Sequence, residues 1–237
     1  MNAKNNRKIN IFFDFDMTLG YRIMMWRDTV RELLLAEGII SDYEEIRCFT
    51  DGRGYPWNFP QLTHEEFLQG KDWWENTEDF IIEGLLSITN LEVAQRVSSK
   101  FRTKYIDLRY WGLFPHTISL LKSLEAKGYN LYILSNHVPE ARQIITQLGI
   151  AQYFTKMFIS SEIGYEKPNP EIYRIALNIA SAEDMNIMIG DNIEADIKGS
   201  LDNGFTNAIL VRKPNSTNYP NYSKLLDGVE EILEKII

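Results

Sequence analysis

The stretch INIFFDFDMTL, residues 9–19, joins a short apolar run to two aspartates that follow it directly. The run at residues 9–13 is rich in isoleucine and phenylalanine, a composition typical of a buried strand. Asp14 and Asp16 come at its end. An apolar strand of this kind lies inside a sheet, so it needs other strands of the chain as its neighbours.

The second half of the chain supplies those neighbours in a repeated order of helix, glycine and strand. Glycine suits the position after a helix because it reaches the left-handed conformation without a Cβ clash. Short apolar strands that alternate with helices of about ten residues predict βαβ units and a parallel sheet covered by helices on both faces. The repeats span residues 117–134, 139–159 and 193–211, with Gly128, Gly149 and Gly204 after their helices.

Residues 21–107 lack this order and are predicted to form a mostly helical insertion. The pattern Thr63-x-x-Glu66 is a capping box, which predicts the start of a helix. Two longer helical patterns cover residues 72–88 and 91–107. We place this region inside the α/β domain because the strand that precedes it must pair with strands that follow it.

Polar residues collect directly after the apolar strands. In a parallel sheet such positions share one edge, where ligands of α/β proteins bind. Lys167 lies several residues after the run at 157–159, and its loop can reach the same edge. The polar residues at the strand ends are Asp14 and Asp16 after residues 9–13, Ser135 and Asn136 after residues 131–134, and Asp191 after residues 186–189.

Together with Asp196, these aspartates bring up to four carboxylates to one edge of the sheet. Like charges raise each other's pKa unless a cation compensates them, so a divalent ion is expected. The chain has only three histidines. An oxygen-rich and histidine-poor set of ligands favours Mg²⁺, which is usually held by one or two carboxylates together with substrate phosphate.

Four segments resemble the four motifs of the haloacid dehalogenase-like hydrolase superfamily. They are DFDMTL at residues 14–19, SN at 135–136, KPNP at 167–170 and GDNIEAD at 190–196. The resemblance implies an α/β fold with a Rossmann-like parallel-sheet core domain, residues 1–20 and 108–237. It also implies that residues 21–107 form a mostly α-helical cap domain, as in the phosphatase branch of the superfamily.

The resemblance also implies roles for the acidic residues. Asp14 is expected to be the nucleophile that forms an aspartyl-phosphate, and Asp16 the general acid and then the general base. The carboxylates of Asp14 and Asp191 and the backbone carbonyl of Asp16 are expected to bind Mg²⁺, while Asp196 orients bound water. The carbonyl's role implies a local turn at Asp16.

The remaining motif residues are expected to bind phosphate. Ser135 offers its hydroxyl and Asn136 its backbone N–H, Lys167 supplies positive charge, and Thr18 supports the first loop. His137 follows the second motif, and a structural or solvent-facing role is favoured for it. Aromatic residues of the insertion are interpreted mainly as core. The candidates for substrate specificity in the cap are Arg22, Arg53 and Trp57.

The predicted function is Mg²⁺-dependent hydrolysis of a small phosphomonoester, such as a nucleotide, sugar or glycolate phosphate. Asp16 argues against dehalogenation, because haloalkanoate dehalogenases of the same superfamily lack a carboxylate at that position. A phosphomutase or phosphotransferase that uses the same intermediate is the alternative enzyme. A protein that binds a metabolite without turnover is the alternative outside the enzymes.

Composition and charge bear on partners and location. The net charge of −8 argues against a nucleic acid polymer or an anionic membrane as partner, since both require a basic face. No apolar stretch approaches the roughly 20 residues of a membrane helix. The single cysteine, Cys48, cannot form an internal disulfide and suits a reducing compartment, so a cytoplasmic location is expected.

Overall fold

A computed structural model describes residues 7–50, 54–180, 183–212, 221–224 and 226–237, excepting the side chains of residues 47–50. Its contacts divide the chain into two compact units. The first, called the core unit, comprises Met1–Tyr21 and Gly112–Ile237. The second, called the inserted unit, is Arg22–Trp111.

Within the described residues, the core unit contains a six-stranded sheet in the order β5-β4-β1-β6-β7-β8, with neighbouring strands parallel. Two further short strands, β2 and β3, form a separate two-stranded sheet. The strands are β1 (Ile9–Phe13), β2 (Gly20–Arg22), β3 (Trp111–Leu113), β4 (Asn130–Ser135), β5 (Lys156–Ile159), β6 (Met185–Gly190), β7 (Asn207–Val211) and β8 (Tyr222–Ser223). The predicted α/β fold with a parallel sheet is confirmed.

Helices follow the strands of the core unit and make up most of the inserted unit. The inserted unit holds α1 (Trp26–Ala36), α2 (Tyr43–Thr50), α3 (His64–Leu68), α4 (Trp73–Leu85) and α5 (Leu91–Tyr105). The core unit holds α6 (Thr117–Ala126), α7 (Ala141–Gln147), α8 (Ser160–Ile163), α9 (Pro170–Leu177), α10 (Gly199–Asp202) and α11 (Val229–Ile236).

Strand β1 lies at the centre of the sheet, as its apolar sequence requires. Phe13 is in register with Ile133 of β4 and with Ile189 of β6, so the three strands run to the same edge, where β4 continues two residues and β6 one residue further. Phe12 is fully buried and its ring stacks on Tyr132 at 4.8 Å between centroids. Full burial of such a side chain contributes about 1.5–3 kcal/mol, which holds β1 between its neighbours.

The glycines predicted to end helices adopt the left-handed conformation. Gly128, Gly149 and Gly204 have φ angles of 79°, 75° and 95°. The helix predicted at the start of the repeat over residues 193–211 is present, as a π-helical turn at Ile193–Lys198 that continues into α10. The π-helical turn begins at Asn192, whose backbone carbonyl accepts from the N–H of Asp196 at 2.8 Å and from that of Ile197, five residues later, at 3.3 Å.

The inserted unit has the helices that its capping residues predict. Thr63 and Glu66 form a reciprocal capping box at the start of α3. The predicted helices at 72–88 and 91–107 are present as α4 and α5. Trp26 packs in the aromatic core of this unit, with ring centroids 4.3 Å from those of Tyr55 and Tyr105.

In the described part of the chain, no helix combines the length and the apolar character needed to cross a membrane. The cytoplasmic location inferred from the single cysteine stays a prediction.

Candidate active site

Asp14 follows β1 directly and lies where several donors converge. Its side chain is buried, and Oδ1 accepts hydrogen bonds from the Ser135 hydroxyl and from the Lys167 ammonium, each at 2.9 Å. The hydroxyl of Thr18 donates to Oδ2 at 3.5 Å. The structure therefore brings together residues of the first three predicted motifs around one carboxylate.

Burial controls the charge of Asp14. Removal from water raises the pKa of Asp14 to about 7, and the nearby carboxylates of Asp196 and Asp191 act in the same direction. Lys167 opposes this rise by attraction and by hydrogen bonding. One lysine does not offset the three carboxylates of Asp14, Asp191 and Asp196, so this centre is short of positive charge.

Lys167 is almost fully buried, and its ammonium group donates three hydrogen bonds. Besides Asp14, it donates to Asp196 at 2.5 Å and to the carbonyl of Leu134 at 2.8 Å. Burial alone disfavours the charged ammonium, but attraction to Asp14 and Asp196 outweighs that cost and raises the pKa of Lys167. Lys167 is therefore a permanent positive charge at this edge of the sheet.

Asn136 holds the loop that carries Lys167. Its side-chain amide donates to the Lys167 carbonyl at 2.8 Å and accepts from the Lys167 N–H at 2.7 Å. This paired contact joins a side chain of the second motif to the backbone of the third. The predicted phosphate contact from the Asn136 backbone N–H is compatible with it, because it uses a different atom.

The fourth motif supplies two more carboxylates. One oxygen from each of Asp14, Asp191 and Asp196 lies within 4.8 Å of the others. Asp196 is buried, and its two oxygens accept from Lys167 and from the backbone N–H of Asn192 at 2.9 Å. The donors here are oxygens only, which suits a hard cation such as Mg²⁺.

Gly190 leaves the space that Asp196 occupies. A Cβ added at Gly190 would lie 2.2 Å from the carboxyl carbon of Asp196. We expect Gly190→Ala to displace this carboxylate and to lower the free energy of unfolding by about 1–3 kcal/mol, as overpacked cores do. Urea unfolding measures the loss.

Gly228→Ala is the matched control for that prediction. Its added Cβ would meet the Ser223 hydroxyl at 2.5 Å, a contact with an uncharged group. We expect this control to cost less than about 1 kcal/mol. Equal losses in the two variants would contradict the larger cost expected from displacing the Asp196 carboxylate.

Asp16 lies outside the group of three carboxylates. Its side chain is 40% exposed, and a turn follows Asp14, with the Leu19 N–H donating to the Phe15 carbonyl at 3.0 Å. The turn expected from the sequence is present. Met17 takes part in it with φ of 59°, a conformation that favours glycine and that Met adopts at a cost of roughly 1–2 kcal/mol.

His137 faces Asp16 and not solvent. It is 2% exposed, and its Nε2 lies 3.4 Å from Asp16 Oδ2. The solvent-facing alternative is therefore wrong. Burial disfavours the charged imidazole, but attraction to Asp16, with a contribution from Asp14, raises the pKa of His137 above its ordinary value.

Arg212 is a residue of this edge that the sequence analysis missed. It directly follows β7, its Nε donates to the Thr18 carbonyl at 3.3 Å, and its guanidinium carbon lies 3.3 Å from the centre of the Phe114 ring. Its φ is 59°. The available signal was its position after a strand, the same signal that singled out Asp14 and Asp191.

The candidates in the inserted unit have different surroundings. Arg22 is buried and donates to the carbonyls of Tyr105 and Lys104 and to the Thr29 hydroxyl, at 2.9 to 3.0 Å. These bonds give it a packing role, and the geometry does not support a substrate contact. Trp57 is half-buried and stacks on Tyr55 at 4.8 Å. Arg53 lies outside the described residues.

The fold and the site together define an α/β protein with an acidic, lysine-bearing centre at the carboxyl edge of its parallel sheet. The sequence model of the haloacid dehalogenase-like hydrolases matches residues 10–203. The chain belongs to this family of hydrolases. The resemblance drawn from the four motifs is confirmed.

Individual relatives match over shorter stretches. The chain is 36% identical over 100 residues to the glyceraldehyde 3-phosphate phosphatase of Methanothermobacter thermautotrophicus, covering 41% of this chain and 44% of that protein. It is 33% identical over 94 residues to the phosphoserine phosphatase of Thermus thermophilus, covering 39% of this chain and 38% of that protein. The matched stretches thus span less than half of either phosphatase.

A solved structure matches over nearly the whole chain. The magnesium-bound HAD-hydrolase YfnB of Bacillus subtilis superposes with a TM-score of 0.68 and 20% identity, covering 97% of this chain and 100% of that one. At this identity the likeness concerns the fold.

Proposed function

We propose that the chain is a Mg²⁺-dependent phosphatase that hydrolyses a small phosphomonoester through an aspartyl-phosphate on Asp14. The observation that carries the proposal is the bonding of Asp14, whose Oδ1 is held by Ser135 and Lys167 at 2.9 Å. A carboxylate fixed in this way presents its other oxygen in one direction. That preorganisation is what an attack on phosphorus requires.

The reaction proceeds in two displacements. In the first, an Asp14 oxygen forms a bond to phosphorus while the bond to the ester oxygen breaks, and Asp16 gives a proton to the leaving alcohol. In the second, Asp16 takes a proton from water, the water oxygen bonds to phosphorus, and the bond to Asp14 breaks. Phosphate leaves and both aspartates return to their starting state.

Lys167 and Ser135 stabilise the group in transfer. The Lys167 ammonium and the Ser135 hydroxyl both reach Asp14, so they also lie close to any phosphoryl group bound to it. Positive charge and hydrogen-bond donors at the equatorial oxygens lower the barrier to phosphoryl transfer. Thr18, whose side chain is fully buried, supports the loop that carries Asp14 and Asp16.

The carboxylates of Asp14 and Asp191 and the backbone carbonyl of Asp16 would hold Mg²⁺. The oxygen-only donors and the shortage of positive charge around Asp14 support this assignment. Asp196 would orient bound water, because its two oxygens already accept from Lys167 and Asn192. When bound, Mg²⁺ supplies positive charge that offsets the carboxylates and the phosphate oxygens.

The substrate class follows from the family and from the names of the relatives. One relative acts on glyceraldehyde 3-phosphate and another on phosphoserine, both small phosphorylated metabolites. We propose a substrate of this class, including nucleotide, sugar and glycolate phosphates, and we propose that the inserted unit is the cap that selects it. A phosphotransferase would share the first displacement and differ in the acceptor of the phosphoryl group.

Phosphate release tests the proposal. The purified protein is incubated with para-nitrophenyl phosphate and Mg²⁺ and then with a panel of phosphorylated metabolites, and free phosphate is measured. Release of phosphate to water supports a phosphatase. Transfer to an added alcohol or sugar, with little free phosphate, would favour the phosphotransferase, and metal binding without turnover would favour a binding protein.

Removal and return of Mg²⁺ should change stability in a pH-dependent way. Because burial raises the pKa of Asp14 to about 7, the metal-free protein holds a proton there below that pH, and Mg²⁺ must displace it. At a Mg²⁺ concentration 100 times its Kd, we expect a gain of about 2.7 kcal/mol. At fixed Mg²⁺, the gain should be larger at about pH 8 than at about pH 5.5.

In the metal-free protein, the contribution of Asp14 to stability changes with pH in the opposite direction. A raised pKa in the folded state means that the stabilisation from Asp14 protonation is present at low pH and is lost as pH rises through about 7. Thermal unfolding with EDTA and with Mg²⁺ at the two pH values measures both effects. Asp191→Asn is the control that should reduce the Mg²⁺ response, and an equal response at both pH values would contradict the prediction.

A further inference from the structure

His137 is a buried polar residue that takes no part in the two proposed displacements at phosphorus. Its side chain is 1% exposed, in the loop between β4 and α7. The backbone of this loop is anchored, because the His137 N–H donates to the Ser160 hydroxyl at 3.0 Å. The imidazole is therefore held in one place from two directions, by its loop and by the Phe15 ring, whose centroid lies 5.7 Å away.

Asp16, unlike His137, is partly exposed to solvent. Its side chain is 40% exposed and lies within the turn after Asp14, so little packing fixes the direction of its carboxylate. A general acid must meet the leaving oxygen at a hydrogen-bond distance, and loss of that alignment costs rate. The His137 imidazole lies beside the Asp16 carboxylate, with His137 Nε2 3.4 Å from Asp16 Oδ2.

We propose that His137 is a positioning residue, whose Nε2 holds one oxygen of Asp16 so that the other points at the leaving-group oxygen. The inference rests on the proposed function, because it assigns Asp16 the proton transfer. The proton passes from Asp16 to the leaving oxygen as the ester bond breaks, and His137 neither gains nor loses one. The buried imidazole thus sets the orientation of a partly exposed acid.

Leaving groups of different quality test this inference. Phenyl phosphate and para-nitrophenyl phosphate have the same ring, but nitrophenolate is stable as an anion and needs little help from an acid. The measured quantity is kcat/KM, which reports the steps up to departure of the leaving group. A residue that positions the acid affects phenyl phosphate strongly and para-nitrophenyl phosphate weakly.

Two amide variants separate positioning from packing. The amide nitrogen of His137→Gln can take the place of Nε2, whereas that of His137→Asn is too short to reach Asp16. We expect His137→Asn to lower kcat/KM for phenyl phosphate by about 10- to 100-fold and that for para-nitrophenyl phosphate by less than about threefold. His137→Gln should stay within about threefold of wild type on both substrates.

Val138→Ala is the matched control, since Val138 is buried in the same loop and its truncation loosens packing without removing a polar group. It should affect both substrates equally. Equal losses in His137→Asn on both substrates, or no loss, would overturn the inference while wild type remains active. If wild type releases phosphate from neither substrate, both the proposed function and this inference fail. If His137→Asn does not fold, His137→Phe replaces it with the same expectations.

Discussion

Asp14→Asn is expected to lower kcat for phosphate release by about 10³-fold or more, because a carboxamide does not act as the nucleophile. The substitution keeps the shape of the side chain, and the amide oxygen can still accept from Ser135 and Lys167, which donate to Oδ1 in the structure. The loss therefore reports the replacement of one carboxylate oxygen by an amide nitrogen, in its proposed roles as nucleophile and as metal ligand. Steady-state release of phosphate from para-nitrophenyl phosphate with Mg²⁺ measures it.

Asp227→Asn is the matched control for a lost carboxylate. Asp227 lies in the core unit with its side chain 55% exposed, so we expect unchanged turnover. Thermal unfolding should show that both variants are folded. Undiminished turnover in Asp14→Asn would reject the aspartyl-phosphate, and with it the proposed function.

Lys167→Met is expected to abolish turnover and to lower the free energy of unfolding by about 3–5 kcal/mol. Lys167 is 3% exposed and bonds to the carboxylates of Asp14 and Asp196 at 2.9 and 2.5 Å. Methionine fills most of the volume but leaves two buried carboxylates without their cation. Urea unfolding of the metal-free protein gives the stability change, and phosphate release gives the activity.

Two further variants show whether unpaired charge is the cause. Lys235→Met removes an exposed lysine that pairs with Glu231, and we expect a change within about 0.5 kcal/mol. Asp196→Asn combined with Lys167→Met removes one of the stranded charges and should recover part of the lost stability. A double variant less stable than Lys167→Met, or a single variant as stable as wild type, would contradict this account.

The fold could be predicted from the sequence because the patterns that indicate helices and strands are local. The alternation of helix, glycine and strand depends on periodicity and on single glycines such as Gly128 and Gly149, which adopt the expected positive φ. The rule that strand ends share an edge then brought Asp14 and Ser135 to one place, and they are hydrogen-bonded at 2.9 Å. No distance had to be known for that inference.

The rest of the site depends on how loops turn after the strands end. The expectation for His137 was partly wrong, because burial of a loop residue depends on what packs above it, here Phe15. The packing role of Arg22 depends on carbonyls more than 80 residues away in sequence. Nothing in the sequence around His137 or Arg22 indicates which distant residues contact them.

The amino-acid pattern was sufficient for the order of strands and helices and for the set of residues at the carboxyl edge of the sheet. It could not specify that Lys167 bridges Asp14 and Asp196, or that Asp16 turns outward to His137. Secondary structure follows from the spacing of residues along the chain. Side-chain partnership follows from the directions in which distant segments meet, and those directions arise when the chain is folded.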